Sequence, residues 1–193
     1  MFSRRFLRVR FLLVAGVGLV LGGSAAVGEA ESSAPASAVD RVMFPKDYRE
    51  SWVIVRSIYR QEQKRVVNVY ANERAAAVVS KNGLPYPYGS IFVMETSQVG
   101  APPTRTERGW FVGGDVVGLH VMRREKGFGE GYGPNRTGEW EYVEYRPDGT
   151  FITPPAQSAT CAACHVKAGA ARDWVYRGRF DDESKTSEKS EMK

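Results

Sequence analysis

Apolar and polar positions along the middle of the chain alternate in short runs, a pattern that predicts strands more often than helices. Five such runs are rich in β-branched and aromatic side chains, and they span residues 53–60, 66–71, 90–96, 115–123 and 139–146. Most of the connections between them are short, which is typical of antiparallel pairing. The pattern therefore predicts an α+β fold, in which helices pack on an antiparallel sheet of roughly five strands.

Helices are predicted at three places. Residues 47–52 predict a short helical turn. Asn72 can cap a helix over residues 73–81, which Asn82-Gly83 would end. The third helix is predicted from about residue 158 or 160 to residue 167, close to the C-terminal end, and it carries the most specific motif of the chain.

The first 30 residues have the layout of a secretory signal peptide. Small residues at 22–30 follow an apolar run at 11–21, and the run follows a basic start that holds Arg4, Arg5, Arg8 and Arg10. The apolar run is shorter than the roughly 20 residues that cross a bilayer comfortably. An uncleaved N-terminal anchor is the alternative. In either case we expect an exported domain, in the periplasm of a Gram-negative bacterium.

Two polar segments flank the domain that we expect to fold, residues 43–180. Residues 31–42 are rich in Ser, Ala and Pro and predict a flexible lead-in. Residues 181–193 are charged and nearly free of apolar side chains, which predicts a disordered tail. The whole chain has a net charge of +5, of which residues 1–30 supply +3. The rest is only weakly basic, so we expect no nucleic-acid partner.

The two cysteines of the chain stand in the motif Cys161-Ala162-Ala163-Cys164-His165. A structural disulfide, a thioredoxin-like redox pair and a zinc site completed by His120 are alternatives. Haem attachment uses every residue of the motif, because two thiols form thioether bonds to the porphyrin vinyl groups and His165 binds the iron as proximal ligand. Cys161 and His165 are four residues apart and share a helix face. The motif therefore predicts one covalently bound haem c.

The surroundings of such a haem can also be predicted in part. The second ring nitrogen of His165 is expected to donate to a carbonyl or a water, which would fix its tautomer. Arg146 and Arg172 are candidates for pairing with the haem propionates, and placement on the surface is the equal alternative. Four aromatic residues are expected to pack on the haem and the sheet, namely Trp110, Trp140, Tyr142 and Trp174.

The order and spacing of several short segments resemble the cytochrome P-460 family, which includes cytochrome c′-beta. The segments are Tyr48-Arg49-Glu50, residues 68–72, residues 88–95, Gly109-Trp110-Phe111, Gly118-Leu119, the CxxCH motif and Asp173-Trp174-Val175-Tyr176. The resemblance covers about residues 48–180. It implies a five-stranded antiparallel sheet, often in a homodimer, and one haem that is usually five-coordinate with an open distal side. Members oxidise hydroxylamine or bind nitric oxide, and we expect a redox partner protein as well.

Three positions depart from the hydroxylamine-oxidising members of that family. One is on the second strand, where those members can carry an arginine and this chain has Val67. Those members carry a lysine before a glutamate on the third strand, and the lysine cross-links to the porphyrin. Here Met94 precedes Glu95, and methionine cannot form the same nitrogen–carbon bond. Those members also place a carboxylate after a Gly-Leu pair on the fourth strand, where this chain has His120. Whether the chain is an enzyme therefore stays open, with hydroxylamine oxidation as the candidate reaction.

Three residues are candidates for the distal side of the haem. Phe92 and Met94 alternate along one face of a strand and are predicted to form the wall of the distal pocket. His120 is a candidate proton relay for a bound N–O ligand, or a hydrogen-bonded strand residue. The leading hypothesis is a haem protein that binds nitric oxide. The alternative is an electron-transfer cytochrome in which Met94 or His120 is the sixth ligand. A third hypothesis is an interaction protein in which the haem is only structural.

Overall fold

The computed structural model describes residues 38–178 and residue 180. The predicted signal peptide at 1–30 and the predicted tail at 181–193 lie outside the described residues. Within the described part there are six strands and three α-helices. No helix in this part is both long and apolar enough to pass through a bilayer.

The strands follow one another in a single antiparallel sheet, in the order β1-β2-β3-β4-β5-β6. They are β1 (Val53–Arg60), β2 (Arg65–Ala71), β3 (Ile91–Gln98), β4 (Asp115–Arg124), β5 (Trp140–Tyr145) and β6 (Phe151–Thr153). The α+β fold and the antiparallel sheet predicted from the sequence are confirmed. The sheet has one strand more than the five predicted. The sixth, β6, has only three residues and follows a tight turn in which the Arg146 backbone N–H donates to the Thr150 carbonyl at 2.8 Å.

The helices are short. They are α1 (Tyr48–Ser51), α2 (Glu73–Ala76) and α3 (Ala159–His165), and single 3-10 turns extend several of the connections. Asn72 caps α2 as predicted, since its side chain accepts from the Ala75 backbone N–H at 3.1 Å. The predicted extension of α2 to residue 81 is wrong. The β-branched Val78 and Val79 disfavour a helix, and the chain turns so that Val78 is buried while Val79 stays exposed.

Apolar side chains cover both faces of the sheet and form two separate cores. One core includes Phe92, Met122 and Trp140, and α3 lies on this side. The other core includes Val93, Leu119 and Tyr145 on the opposite face. The alternation of inward and outward side chains along each strand therefore gives the sheet two buried faces instead of one.

The fold begins slightly earlier than predicted. Val42 lies in the predicted lead-in, yet only 1% of its surface is exposed and it belongs to the core that contains Val93. Its neighbour Arg41 pairs with Glu141, and Asp40 accepts a hydrogen bond from the Tyr145 hydroxyl at 2.7 Å. Apolar burial and two polar contacts thus fix residues 40–42 against the sheet.

Candidate haem site

A cavity of about 540 Å³ lies between one face of the sheet and α3. Its volume falls within the roughly 300–1,000 Å³ that is usual for small-molecule and cofactor sites. The six residues singled out from the sequence all line it, namely Phe92, Met94, His120, Cys161, Cys164 and His165. The fold therefore brings together side chains from β3, β4 and α3 that are up to 73 positions apart in the chain.

One continuous row of side chains crosses the sheet and forms the floor of this cavity. Each strand contributes one residue, and each residue stands directly opposite the next in the pairing register. Directly opposite residues project to the same face of an antiparallel sheet. In strand order the row is Arg56, Val69, Met94, His120, Glu144 and Thr153, and all six line the cavity.

His165 ends α3 and is held in one orientation. Its Nδ1 lies 2.7 Å from the backbone carbonyl of Trp174, and its ring packs against Tyr142 at 4.5 Å and Tyr176 at 5.3 Å between centroids. Burial lowers the pKa of His165, and the hydrogen bond to the Trp174 carbonyl acts in the opposite direction. A neutral ring that donates from Nδ1 keeps its Nε2 lone pair for a metal ion. The hydrogen bond expected from the sequence is therefore present.

The two cysteines next to His165 are both free thiols. Cys161 is partly buried and Cys164 is exposed. Burial raises the pKa of the Cys161 thiol to about 11, which is opposite to the lowered value of a thioredoxin-like nucleophile. Among residues 38–178 and 180, no three His, Cys, Asp or Glu side chains are grouped to hold a metal ion. The thiols remain available for covalent attachment of a cofactor.

A buried carboxylate fixes the backbone that supplies the Trp174 carbonyl. Asp173 and Trp174 both have positive φ, 48° and 56°, a conformation that costs non-glycine residues free energy. The Asp173 side chain, in a residue only 4% exposed, accepts from the Tyr86 backbone N–H at 2.9 Å and lies 3.7 Å from Arg124. These contacts tie the turn after α3 to the sheet, and so they position the acceptor for His165.

A second histidine faces the cavity from the sheet. The Nε2 of His120 lies 2.9 Å from Glu144 Oε1, and the Thr153 hydroxyl donates to Glu144 Oε2 at 2.9 Å. Burial lowers the pKa of His120, while Glu144 acts in the opposite direction. Neutral His120 that donates from Nε2 to the carboxylate leaves its Nδ1 as a proton acceptor. The arrangement is a histidine oriented by a carboxylate, which suits proton transfer.

The part of the sheet wall around Phe92 and Met94 is apolar. Phe92 is 2% exposed, and its ring makes an edge-on contact with Tyr86 at 5.1 Å. Met94 is partly buried and packs against the same core. Val69 and Met122 complete this wall. These four side chains form an apolar patch beside the polar pair of His120 and Glu144.

Three charged residues of the cavity are not predicted from the sequence. Glu144 shares its face of β5 with Tyr142, and Arg56 and Arg60 share theirs with Ile58 on β1. The alternation along each strand shows which residues share a face. It does not show which face packs against α3, because that depends on the order of the strands. The predicted propionate partners Arg146 and Arg172 are not among the residues that line the cavity. Of the four predicted aromatic neighbours, only Tyr142 lines it.

The fold and the site define a class of protein that encloses a cofactor between an antiparallel sheet and a C-terminal CxxCH helix. The sequence model of the Cytochrome P460 family matches residues 45–177, and the chain belongs to this family. A search among curated proteins gave no match. Family membership implies a haem cofactor.

The residues of the cavity fit a haem by their chemistry. His165 offers an unprotonated Nε2, the two thiols stand beside it on α3, and the opposite wall is largely apolar. These are the groups by which a c-type haem is held. His165 would bind the iron, Cys161 and Cys164 would hold the porphyrin, and Phe92 and Met94 would face its other side.

Proposed function

We propose that this chain is a c-type cytochrome that carries one haem, bound covalently through Cys161 and Cys164 with His165 as proximal ligand, and that takes small nitrogen-oxide ligands such as nitric oxide. The observation that carries the proposal is the single cavity that joins the CxxCH helix to a mostly apolar sheet wall. When bound, the haem supplies an iron that takes small ligands and exchanges electrons. Protein groups then decide access, orientation and proton supply.

The sheet wall favours a small ligand over a large substrate. Phe92 and Met94 cover the wall opposite α3, and both are held by packing against the core. An apolar surface offers no hydrogen bonds to a polar substrate, whereas a diatomic ligand needs few. Binding of nitric oxide is therefore the function that this wall supports best.

His120 gives the site a group that can move a proton. Its Nδ1 is the free acceptor when Nε2 donates to Glu144, and the carboxylate would stabilise the imidazolium once a proton arrives. Hydroxylamine oxidation releases protons together with electrons, so this pair supports that reaction as a second candidate activity. The electrons would leave to a redox partner protein. The missing cross-linking lysine at Met94 weakens this candidate compared with ligand binding.

The alternative function is electron transfer with six-coordinate iron. It is favoured by one observation, namely that Met94 and His120 stand directly opposite each other in the register and both line the cavity. Either side chain is a known type of axial ligand. A sixth protein ligand would close the iron to nitric oxide.

The absorption spectrum of the purified ferrous protein separates the two functions. Our proposal predicts a high-spin spectrum that changes when nitric oxide is added. A low-spin spectrum with sharp α and β bands that nitric oxide leaves unchanged would contradict it and support electron transfer. In that case Met94→Ala and His120→Ala, compared side by side, identify the ligand, because only one of them should convert the spectrum to high spin.

The proton-relay role of His120 has its own test. Replacement of His120 by Gln keeps a hydrogen-bonding side chain but removes the titratable group, so hydroxylamine turnover should fall by about 10²-fold or more. Glu144→Gln is the matched partner variant and should lower turnover less, because it weakens orientation without removing the acceptor. Unchanged turnover in His120→Gln would remove His120 from the proposed mechanism.

Export and assembly belong to the same proposal. The pattern of residues 1–30 supports export to the periplasm, where c-type haem attachment takes place, and the resemblance supports a homodimer. N-terminal sequencing of the protein from a periplasmic fraction tests the first point. Light scattering of the haem-loaded protein tests the second, with a mass of two chains expected and a mass of one chain contradicting it.

A further inference from the structure

We propose that Arg56 and Arg60 bind the two propionate carboxylates of the haem. This inference rests on the proposed haem site and assigns its second anchoring point. It replaces the earlier expectation that Arg146 and Arg172 play this part.

The first argument is position. Arg56, Ile58 and Arg60 alternate along β1, and all three line the cavity. Residues two apart in a strand share a face, so the two guanidinium groups are carried on the same side of the sheet, separated by one apolar residue. Since β1 is an edge strand, the arginines stand at one end of the cavity.

The second argument is charge. None of the ion pairs among the described residues involves Arg56 or Arg60. Arg56 donates to the Tyr176 carbonyl at 3.1 Å, which leaves most of its five donors for another acceptor. Burial, with the nearby charges of Arg172 and Arg60, lowers the pKa of Arg56. Two carboxylates would relieve this crowding of like charges, and guanidinium groups bind carboxylates in a bidentate geometry.

The third argument is the layout of the cavity. Helix α3, which carries both thiols, packs on β5, and the charge of Glu144 on β5 acts on Cys161. Three strands lie between β5 and β1, so the thiols and the long side chains of the two arginines approach the cavity from different sides. The propionates of a haem are on the two pyrrole rings that carry no vinyl group. A porphyrin attached at the thiols on the β5 side can thus extend its carboxylates toward β1.

The test compares Arg56→Gln/Arg60→Gln with Arg146→Gln, all as haem-loaded full-length protein. Arg146 is the control, because its replacement removes positive charge, one unit against the two of the double variant, from a residue that does not line the cavity. The main readout is the resonance Raman band of the propionate bending mode, whose frequency falls when hydrogen bonds to the carboxylates are lost. We expect a lower frequency in the double variant and an unchanged band in Arg146→Gln.

The midpoint potential is the second readout. Loss of positive charge beside the porphyrin favours the ferric state, so we expect a roughly tenfold shift of the reduction equilibrium, which is a fall of about 59 mV for one electron. Arg56→Lys/Arg60→Lys keeps the charge and should restore most of the potential but not the Raman band. This lysine pair also serves if the glutamine pair fails to load haem.

Failure of the proposed function and failure of the arginine assignment give different results. Wild-type protein without covalent haem would overturn the proposed function itself. Wild-type protein with haem, together with Gln and Lys variants whose Raman band and potential match those of Arg146→Gln, would overturn only the assignment of Arg56 and Arg60.

Discussion

The two faces of the sheet are formed by the same strands, but one face is covered by a closed core and the other borders a cavity. On the face away from the cavity, Val93, Leu119 and Tyr145 are buried in a closed core. On the other face the row that contains Met94 and His120 borders a cavity of about 540 Å³. Since consecutive residues of a strand point to opposite faces, Met94 and Glu95 are neighbours in the chain but belong to the two different environments.

Polar groups show the same difference. On the closed face the Glu95 carboxylate, in a residue 3% exposed, accepts from Tyr48, from Arg49 at 2.7 Å and from Ser97 at 3.3 Å. On the cavity face His120 is satisfied on one ring nitrogen only, and 42% of its side chain is exposed. Both faces carry an apolar core, but the buried carboxylate of the closed face is fully hydrogen-bonded within the protein, whereas His120 on the cavity face keeps one ring nitrogen for a ligand.

The largest expected effect is on the closed face. Glu95→Ala removes the acceptor shared by Tyr48 and Arg49, so the free energy of unfolding should fall by about 3 kcal/mol. Met94→Leu, the adjacent substitution on the cavity face, should cost less than about 1.5 kcal/mol because the two side chains have similar volumes. Urea unfolding followed by circular dichroism measures both. Equal losses in the two variants would contradict the division of roles between the faces.

The next effect concerns the turn that holds the Trp174 carbonyl. Asp173→Ala leaves the Tyr86 N–H without its acceptor and puts alanine at positive φ, so we expect a loss of about 2 kcal/mol. Asp173→Asn keeps both an acceptor and tolerance for this backbone conformation, and should cost about 1 kcal/mol or less. The same unfolding measurement applies. A loss in Asp173→Asn as large as that in Asp173→Ala would show that the charge, not the backbone anchor, is what matters.

The smallest effect at neutral pH involves Tyr132, whose hydroxyl contacts Ser158 at 2.8 Å just before α3. Tyr132→Phe should cost about 1 kcal/mol at pH 7. Burial raises the pKa of Tyr132 to about 12, against about 10 in an unfolded chain. Titration of Tyr132 therefore leaves the free energy of unfolding unchanged below pH 10 and lowers it by about 2–3 kcal/mol as the pH rises from 10 to 12.

The alkaline range gives the sharper measurement for this residue. Unfolding free energies at pH 9 and at pH 11 should differ less in Tyr132→Phe than in the wild type, because the variant lacks the group that titrates. An identical alkaline loss in wild type and Tyr132→Phe would contradict the assignment.

Much of the fold could be predicted from local pattern. The strand at 53–60 was placed correctly to the residue, and Asn72 was recognised as a helix cap. Strand β6 was missed because three residues after a turn carry too little periodicity to stand out. The predicted α2 is too long. The β-branched Val78 and Val79 disfavour a helix, and the burial of Val78 is a tertiary effect that the local pattern does not show.

The site was predictable where its residues are adjacent in the chain and less so where the sheet assembles it. The spacing of the CxxCH motif alone predicts three residues of the site, Cys161, Cys164 and His165. Phe92, Met94 and His120 were found through the resemblance and the alternation on β3. Glu144, Arg56 and Arg60 depend on the strand order and on which face meets α3, and neither can be derived from a single strand.

The most direct test of the central proposal is the mass of the protein purified from a periplasmic fraction and measured under denaturing conditions. A haem held by Cys161 and Cys164 stays attached when the chain unfolds, so the measured mass should equal that of the chain plus one haem. Cys161→Ala/Cys164→Ala is the matched control and should show the mass of the chain alone. A wild-type mass without added haem would contradict the account.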